Sequence, residues 1–358
     1  MSGVDGAGGS GVDGAGVSRV DRAGGSGVHS AGVSRAQRPG ARQLDGVAVI
    51  DKPPGCTSHD VVARCRRIFA QKRVGHAGTL DPDATGVLVV GLGQATRLLQ
   101  FLSGLAKRYT GEVVLGVTTT TLDSAGDVTG TWDMHGVTVD EARAAAATLT
   151  GQISQVPPMV SALKVGGRRL HELARAGIEV ERAPRSVTVT RFDVGLAGLA
   201  GAGAAGLAGA GAASGQGPVL AIDVECSPGT YIRTLAADLG TALGGGAHLR
   251  NLRRLAVGNF TVAEAVTLET LEAVGEPGKL LISPADALAR AGLGRAVADR
   301  ELAGAVAHGK VLPVASVHAA GATGSGPWAV VTEDGVLLAV YQSHGKDQAK
   351  PAAVLAPQ

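Results

Sequence analysis

The sequence predicts a mixed α/β (α+β) body followed by a small β-rich unit, and three observations carry that prediction. Strand-like apolar runs and capped helical segments succeed one another between residues 46 and 289. Within that span, residues 186–194 and 219–225 alternate polar and apolar side chains, as the two strands of a hairpin do. From about Arg290 the pattern becomes short strands, 328–332 and 336–341, divided by Asp334-Gly335. The 358 residues and 45% apolar content can fill one large core and one small one, as in a soluble globular enzyme.

Residues 2–41 divide into five octads, SGVDGAGG, SGVDGAGV, SRVDRAGG, SGVHSAGV and SRAQRPGA. A period of eight built from Gly, Ala and Ser matches no packed repeat, and so few large side chains cannot offset the entropy of ordering the backbone. Residues 1–45 are therefore expected to be a disordered tail. A related hypothesis is that synthesis starts nearer Gln43, which an intact mass including the octads would exclude.

Order is expected from residues 46–50, a strand-like run, followed by a turn that Pro53, Pro54 and Gly55 force. Thr57 or Ser58 caps a helix through Phe69 with Val61, Val62, Cys65 and Ile68 on its apolar face. A helix over 95–105 precedes a strand over 107–117, and Thr138 with Glu141 forms a capping box for a helix to about Leu149. Prolines extend residues 155–164, and residues 166–176 read as a helix on which His171 is a surface residue. The Gly, Ala and Leu run at 195–217 has the length of a membrane span, but Gly and Ala contribute little transfer free energy and both flanks read as strands. It is expected to be a disordered surface insertion, with no membrane contact. Residues 227–234 form a turn that leads into a helix over 235–243.

Net charge is only +2, so the distribution of charge matters more than its sum. Residues 61–108 carry eight basic side chains against Asp81 and Asp83, and Arg250, Arg253 and Arg254 form a second group. Either group alone is explained by a solvated face; together they could grip phosphates if they converge in space. Cys56, Cys65 and Cys226 have neither disulfide-framework nor zinc-ligand spacing, which fits a reducing cytoplasm. No charged start followed by an apolar stretch marks a secretory signal.

The chemistry is expected at Gly75-His76-Ala77-Gly78-Thr79-Leu80-Asp81-Pro82. Pro82 biases Asp81 toward extended backbone, and the apolar run at 86–91 places that carboxylate at the mouth of a packed layer. Such an acid can serve as nucleophile or base. Tyr109 stands at a strand start and Tyr231 and Arg233 at a turn; an arginine beside a carboxylate keeps it ionised, while a tyrosine ring offers a stacking face for a base. The ordinary reading of Tyr109 alone is a core tyrosine. No Ser-His-Asp spacing, phosphate-binding GK[ST] loop or metal cluster accompanies them, so chemistry without metal or cofactor on a charged polymer is the natural reading.

These pieces resemble the TruB family of tRNA pseudouridine synthases. The matching segments are Val49-Ile50-Asp51-Lys52-Pro53-Pro54-Gly55 with Thr57-Ser58-His59-Asp60, residues 75–88, Lys107-Arg108-Tyr109, residues 157–164, residues 229–234 and Leu252-Arg253-Arg254-Leu255. The resemblance covers about residues 46–268 and implies a pseudouridine synthase catalytic fold with a large, mostly antiparallel mixed sheet over 46–289. Residues 290–358 resemble the small PUA-like domain that often follows it. Asp81 would be the catalytic aspartate, Tyr109 the tyrosine that stacks on the flipped uracil, and Arg233 the arginine paired with the acid. Tyr231 and Leu252 would line the pocket, with Lys52 near it, and His76 would enter the space the nucleotide leaves. Arg253 and Arg254 would join the RNA-binding surface. The implied reaction converts uridine 55 in the T loop of tRNA to pseudouridine by base flipping, in a cytoplasmic monomer without an obligate protein partner. Val160 departs from the family pattern, where an aromatic residue is common.

Overall fold

The computed structural model describes residues 43–161, 163–197 and 217–355; the octads and residues 198–216 of the Gly/Ala insertion lie outside them. Residues 43–45 are held at the edge of the body: Leu44 N donates to Gln71 Oε1 and Gln94 N to Asp45 Oδ1. Strand β1 (Gly46–Lys52) and helix α1 (Ser58–Ile68) follow. Thr57 and Asp60 form a reciprocal capping box at the start of α1, so this helix begins where its sequence says. β2 (Val74–Ala77) and β3 (Thr85–Leu92) then form a hairpin across the Asp81 corner.

The single helix expected over 95–105 is instead a 3₁₀ turn, Gly93–Leu98, followed by the short α2 (Leu99–Ser103). Gly93 has φ +58°, and Thr96 Oγ1 donates to its carbonyl oxygen while Asp45 takes the N–H of Gln94. Side chains that capture backbone groups in this way favour a tight turn over a full helical start. Next come β4 (Lys107–Leu115), β5 (Val117–Thr119), β6 (Val128–Thr131), α3 (Val139–Thr148) and β7 (Gly151–Gln155). The helix expected from Gly166 is shortened: Gly166 and Gly167 both have positive φ and turn β8 (Lys164–Val165) into β9 (Arg168–Arg169), leaving α4 at Leu170–Arg175.

β10 (Arg185–Leu196) and β11 (Val219–Cys226) pair antiparallel, and Gly195 and Leu196, expected in the insertion, still pair with Ala221 and Leu220. α5 (Ile232–Ala242), β12 (Ala247–Val257), β13 (Phe260–Thr261), α6 (Leu268–Ala273) and α7 (Pro284–Arg290) complete the first part. Its sheet runs β1-β3-β12-β4-β11-β10-β7, with β2 beside β3 and β13 beside β12. Only β3 and β12 pair in parallel, so the sheet is mixed and mostly antiparallel.

The continuous apolar run of β3 has a simple cause. Val87 and Val89 enter one core while Leu88 and Val90 enter another, and β1 sorts Val47 and Val49 from Ala48 and Ile50 in the same way. A strand covered on both faces shows no alternation. After Arg290 come β14 (Gly294–Val297), α8 (Arg300–Ala307), β15 (Leu312–Pro313), α9 (Val314–Ala319), β16 (Trp328–Val331), β17 (Leu337–His344) and β18 (Gln348–Val354). This second sheet, ordered β14-β16-β17-β18-β15, carries two helices the sequence reading did not foresee. One apolar cluster joins Val47, Val89 and Leu98 of the first part to Ala329, Val331, Val340 and Leu355 of the second, across the boundary expected at residue 290. No helix among the described residues is long and apolar enough to cross a membrane.

Candidate active site

Three buried side chains hold the corner from which Asp81 projects. Lys52 ends β1, and its Nζ donates to the carbonyl oxygens of Pro53 (2.9 Å), Pro82 (2.7 Å) and Ala84 (2.7 Å). Ser58, at the start of α1, donates to Leu80 O (3.1 Å) and accepts from Leu80 N (2.9 Å). Arg254 on β12 donates through Nε to Val87 O (2.7 Å), through Nη2 to Gly78 O (3.0 Å) and through Nη1 to Thr79 O (3.4 Å). Burying a cation is tolerable because these carbonyls replace water around it. The close approach needs Gly86, whose φ is +98° and where a Cβ would lie 2.2 Å from the Arg254 carbonyl oxygen.

Arg233 reaches this corner from a helix, not from the turn expected to carry it. α5 starts at Ile232, three residues before the expected Leu235, and its N-cap residue, Tyr231, has no side-chain cap but is anchored by Gln155. Its Oε1 accepts from Tyr231 N (3.0 Å) and its Nε2 donates to Tyr231 O (3.2 Å). Arg233 Nε lies 3.0 Å from Asp81 Oδ2 and Nη2 lies 3.2 Å from Oδ1, a two-point, charge-assisted contact. Nη1 also donates to Thr121 O (2.9 Å) and Nη2 to Val160 O (2.8 Å), with Asp123 Oδ2 at 3.6 Å from Nη1. The arginine side chain is 5% exposed and the aspartate 43%, so the acid is the reachable member of the pair. The cavity walls crowd the carboxylate even so. Burial raises the pKa of Asp81, Arg233 opposes that rise, and the charge of Asp123 adds to it.

Tyr109 on β4 faces the same space, flanked across the sheet by Val224 of β11 and Arg254 of β12. Burial pushes its phenol pKa up, so the ring is neutral at physiological pH. Asp81, Tyr109, Tyr231, Arg233, Leu252 and Arg254 line one cavity of about 290 Å³, together with Lys107 and the 227–230 turn. That volume is at the small end for a ligand site and suits a single nucleotide unit.

The other expected site residues fall outside that lining. Lys52 is sealed behind the corner, with three carbonyls around its ammonium. His76 lies on β2 with its ring 5.4 Å from that of His59 at 88°, and its buried Nδ1 has no hydrogen-bond partner among the described residues. Burial first, then His59 and Arg254, lower its pKa to about 4, which keeps it neutral. Arg253 points to the other face of β12 and grips Asp51 through two contacts of 3.1 and 2.7 Å. The basic groups expected to converge are largely committed within the protein. Arg64 holds Glu269 and Glu272, Arg108 holds Asp223, and Arg250 holds Glu112.

Asp123 and Gln155 were not legible as site residues. For Asp123 a local signal existed: Thr121 Oγ1 and Ala125 N both donate to its Oδ1, the turn chemistry of an aspartate before Ser-Ala-Gly. For Gln155 there was none, since its partner lies 76 positions away.

Residues 66–232 match the family described as TruB family pseudouridylate synthase (N terminal domain), and residues 233–288 match the tRNA pseudouridylate synthase B C-terminal domain. The tRNA pseudouridine synthase B of Rhodococcus jostii (strain RHA1) is 45% identical over 302 residues, 84% of this chain and 91% of that protein. The protein of the same name from Arthrobacter sp. (strain FB24) is 43% identical over 320 residues, 88% of this chain and 97% of that protein. Among solved structures, a Cbf5-Nop10-Gar1 complex contains a chain 27% identical with a TM-score of 0.60, covering 87% of this chain and 84% of that one. An H/ACA RNP bound to a substrate RNA containing 2'-deoxyuridine contains one 25% identical with a TM-score of 0.59, covering 87% and 85%.

Proposed function

The chain belongs to the TruB family of pseudouridylate synthases and is an isomerase; from that membership and the chemistry of the cavity we propose that it converts uridine 55 in the T loop of tRNA to pseudouridine. The observation that carries this reading is the Asp81–Arg233 pair at the mouth of a nucleotide-sized cavity walled by Tyr109.

The reaction breaks the bond between C1′ and N1, turns the ring and forms a bond between C1′ and C5. The C5 hydrogen leaves as a proton and N1 gains one, so atoms and charge balance within the substrate and water. Asp81 acts on the sugar carbon side, either by adding to C1′ or by removing a proton from the ribose. Arg233 keeps it ionised against the pull of burial and fixes its direction. A uridine stacked within the T loop cannot bring its sugar carbon and both ring edges to this acid, so it must leave the stack and enter the cavity. There the neutral ring of Tyr109 stacks on the base, with Tyr231 and Leu252 closing the sides. The neutral ring of His76 enters the space left behind, which favours stacking over ion pairing. Lys52 and Arg254 act as positioning residues for the 78–84 corner. Arg64, Arg108, Arg250 and Arg253 are held by carboxylates, whereas Arg66, Arg67, Lys72, Arg73 and Arg97 have no ion pair among the described residues and are the cations left to meet phosphates, with recognition resting mainly on the folded shape of the T arm. Residues 46–289 serve as the catalytic domain and 290–358 as a PUA-like domain, in a cytoplasmic monomer.

Carbodiimide mapping of unmodified tRNA incubated with the purified protein tests this: a single new pseudouridine at position 55 is expected, and none, or one elsewhere, would overturn it. The likeness to chains from H/ACA particles favours a second reading, a synthase that needs protein and RNA partners. Conversion of a bare T-arm transcript by the purified chain would exclude it.

A further inference from the structure

Lys52, Lys107 and Arg254 are three buried cations around one corner, and they differ in how fully their donors are met. Lys52 meets three carbonyl oxygens with its three donors, and Arg254 sets three of its five donors on carbonyl oxygens, with the Tyr109 phenol also within its reach. Lys107, the first residue of β4, meets two: Ser103 O at 2.6 Å and Leu105 O at 2.7 Å. An ammonium carries three N–H donors, so one is left, with no third acceptor among the described residues. Unlike Lys52, Lys107 lines the cavity.

The strand sets the face from which that side chain leaves. Lys107 and Tyr109 are two residues apart on β4 and so share a face, about 7 Å apart along the strand. A planar base stacked on Tyr109 presents an edge toward Lys107, while Asp81 meets its sugar.

Resting on the reading of the site as a uridine isomerase, we propose that Lys107 is a further catalytic residue, donating a hydrogen bond from its ammonium to a carbonyl oxygen of the uracil ring. When the bond between C1′ and N1 breaks, the electron pair stays on the ring and spreads onto its carbonyl oxygens; removal of the C5 proton places charge there again. A fixed cation at such an oxygen stabilises both stages, and its proton stays on Nζ throughout. The electrostatics agree with this placement. Burial, aided by Arg254 on β12 and opposed by Cys226 on β11, lowers the pKa of Lys107 to about 8; Asp81, Tyr109, Tyr231 and Arg233 are the other ionisable groups that line the cavity. The ammonium therefore predominates at neutral pH and is lost on the alkaline side.

The test is the single-turnover rate of pseudouridine formation on a tRNA transcript across the alkaline range, with RNA affinity measured alongside, for the wild type and Lys107→Met. The variant is expected to be about 100-fold slower at neutral pH with affinity within about threefold of wild type. The wild-type rate should decline with a midpoint near pH 8, and that decline should vanish in the variant. A rate within about threefold of wild type would overturn the proposal. So would affinity lost in proportion to rate, which would make the ammonium a phosphate grip. A slower variant that keeps the wild-type decline would also overturn it, leaving Lys107 only the clamp of the turn after α2. Should Lys107→Met fail to fold, the wild-type profile decides: a flat rate through pH 8 refutes the proposal and a decline there supports it. A wild type that forms no pseudouridine would instead refute the reading of the site, whatever Lys107 does.

Discussion

Lys52, Lys107 and Arg254 are buried around the cavity and take carbonyl oxygens, whereas Arg64, Arg108, Arg250 and Arg253 stand on outer faces and each holds a carboxylate. The inner cations leave net positive charge beside Asp81 and fix the backbone that carries it. The outer ones are neutralised where they stand, and exposed pairs of that kind contribute roughly 0–1 kcal/mol each. Basic residues that look alike in the sequence thus divide into parts of the catalytic apparatus and ordinary surface pairs. Burial makes the division, and charge alone does not.

The largest effect expected is at the acid that the inner group serves. Asp81→Asn keeps the shape and removes the charge, so product formation should fall by about 10⁴-fold or more while tRNA binding persists. Normal turnover in a pseudouridine assay would show that another group does the chemistry. Arg233→Ala comes next, with activity expected to fall about 10²- to 10³-fold and affinity far less. It should also move the acid limb of the pH–rate profile. Burial and Asp123 already raise the pKa of Asp81, and Arg233 is the first influence opposing them. Without the guanidinium the pKa rises further, so activity should fail at a higher pH than in the wild type. An unchanged acid limb would mean that Arg233 does not set the ionisation of Asp81.

Much of this could be read before any coordinates. The capping boxes at Thr57 and Thr138, the hairpin of β10 and β11 and the Asp81-Pro82 corner are local patterns, and each is formed by neighbours in the chain. The pairing of Arg233 with Asp81 came from resemblance, since 152 positions separate them. What stayed illegible depends on contacts with no period. The 3₁₀ start at Gly93 is held by Asp45, and the residue before α5, Tyr231, is held by Gln155. Nothing in the sequence around Lys52 or Arg254 announces that carbonyls from distant turns will enclose them. The fusion of the two sheets through one apolar cluster was hidden for a related reason: Ala329, Val331 and Val340 look the same whether they face their own sheet or the other.

Stability should separate the two kinds of cation as sharply as activity separates Asp81 from its surroundings. Arg254→Met removes donors from three carbonyl oxygens while filling much of the same space, so a loss of about 2–4 kcal/mol is expected in denaturant unfolding. A loss below about 1 kcal/mol would mean that those carbonyls find water and that the corner does not depend on the arginine.

The smallest effect belongs to the residue next door. Arg253 follows Leu252, which lines the cavity, and precedes Arg254, which does too; alternation along β12 turns Arg253 to the opposite face, where its side chain is 37% exposed. Its pair with Asp51 has good two-point geometry, but water reaches both partners and screens them. Arg253→Ala should therefore cost no more than about 1 kcal/mol, and raising the salt concentration should shrink the difference from wild type further. Equal losses for Arg253→Ala and Arg254→Met, with no response to salt, would show that the strand does not sort its cations by burial. In that event the inner group would lose its claim to be distinct from the outer one.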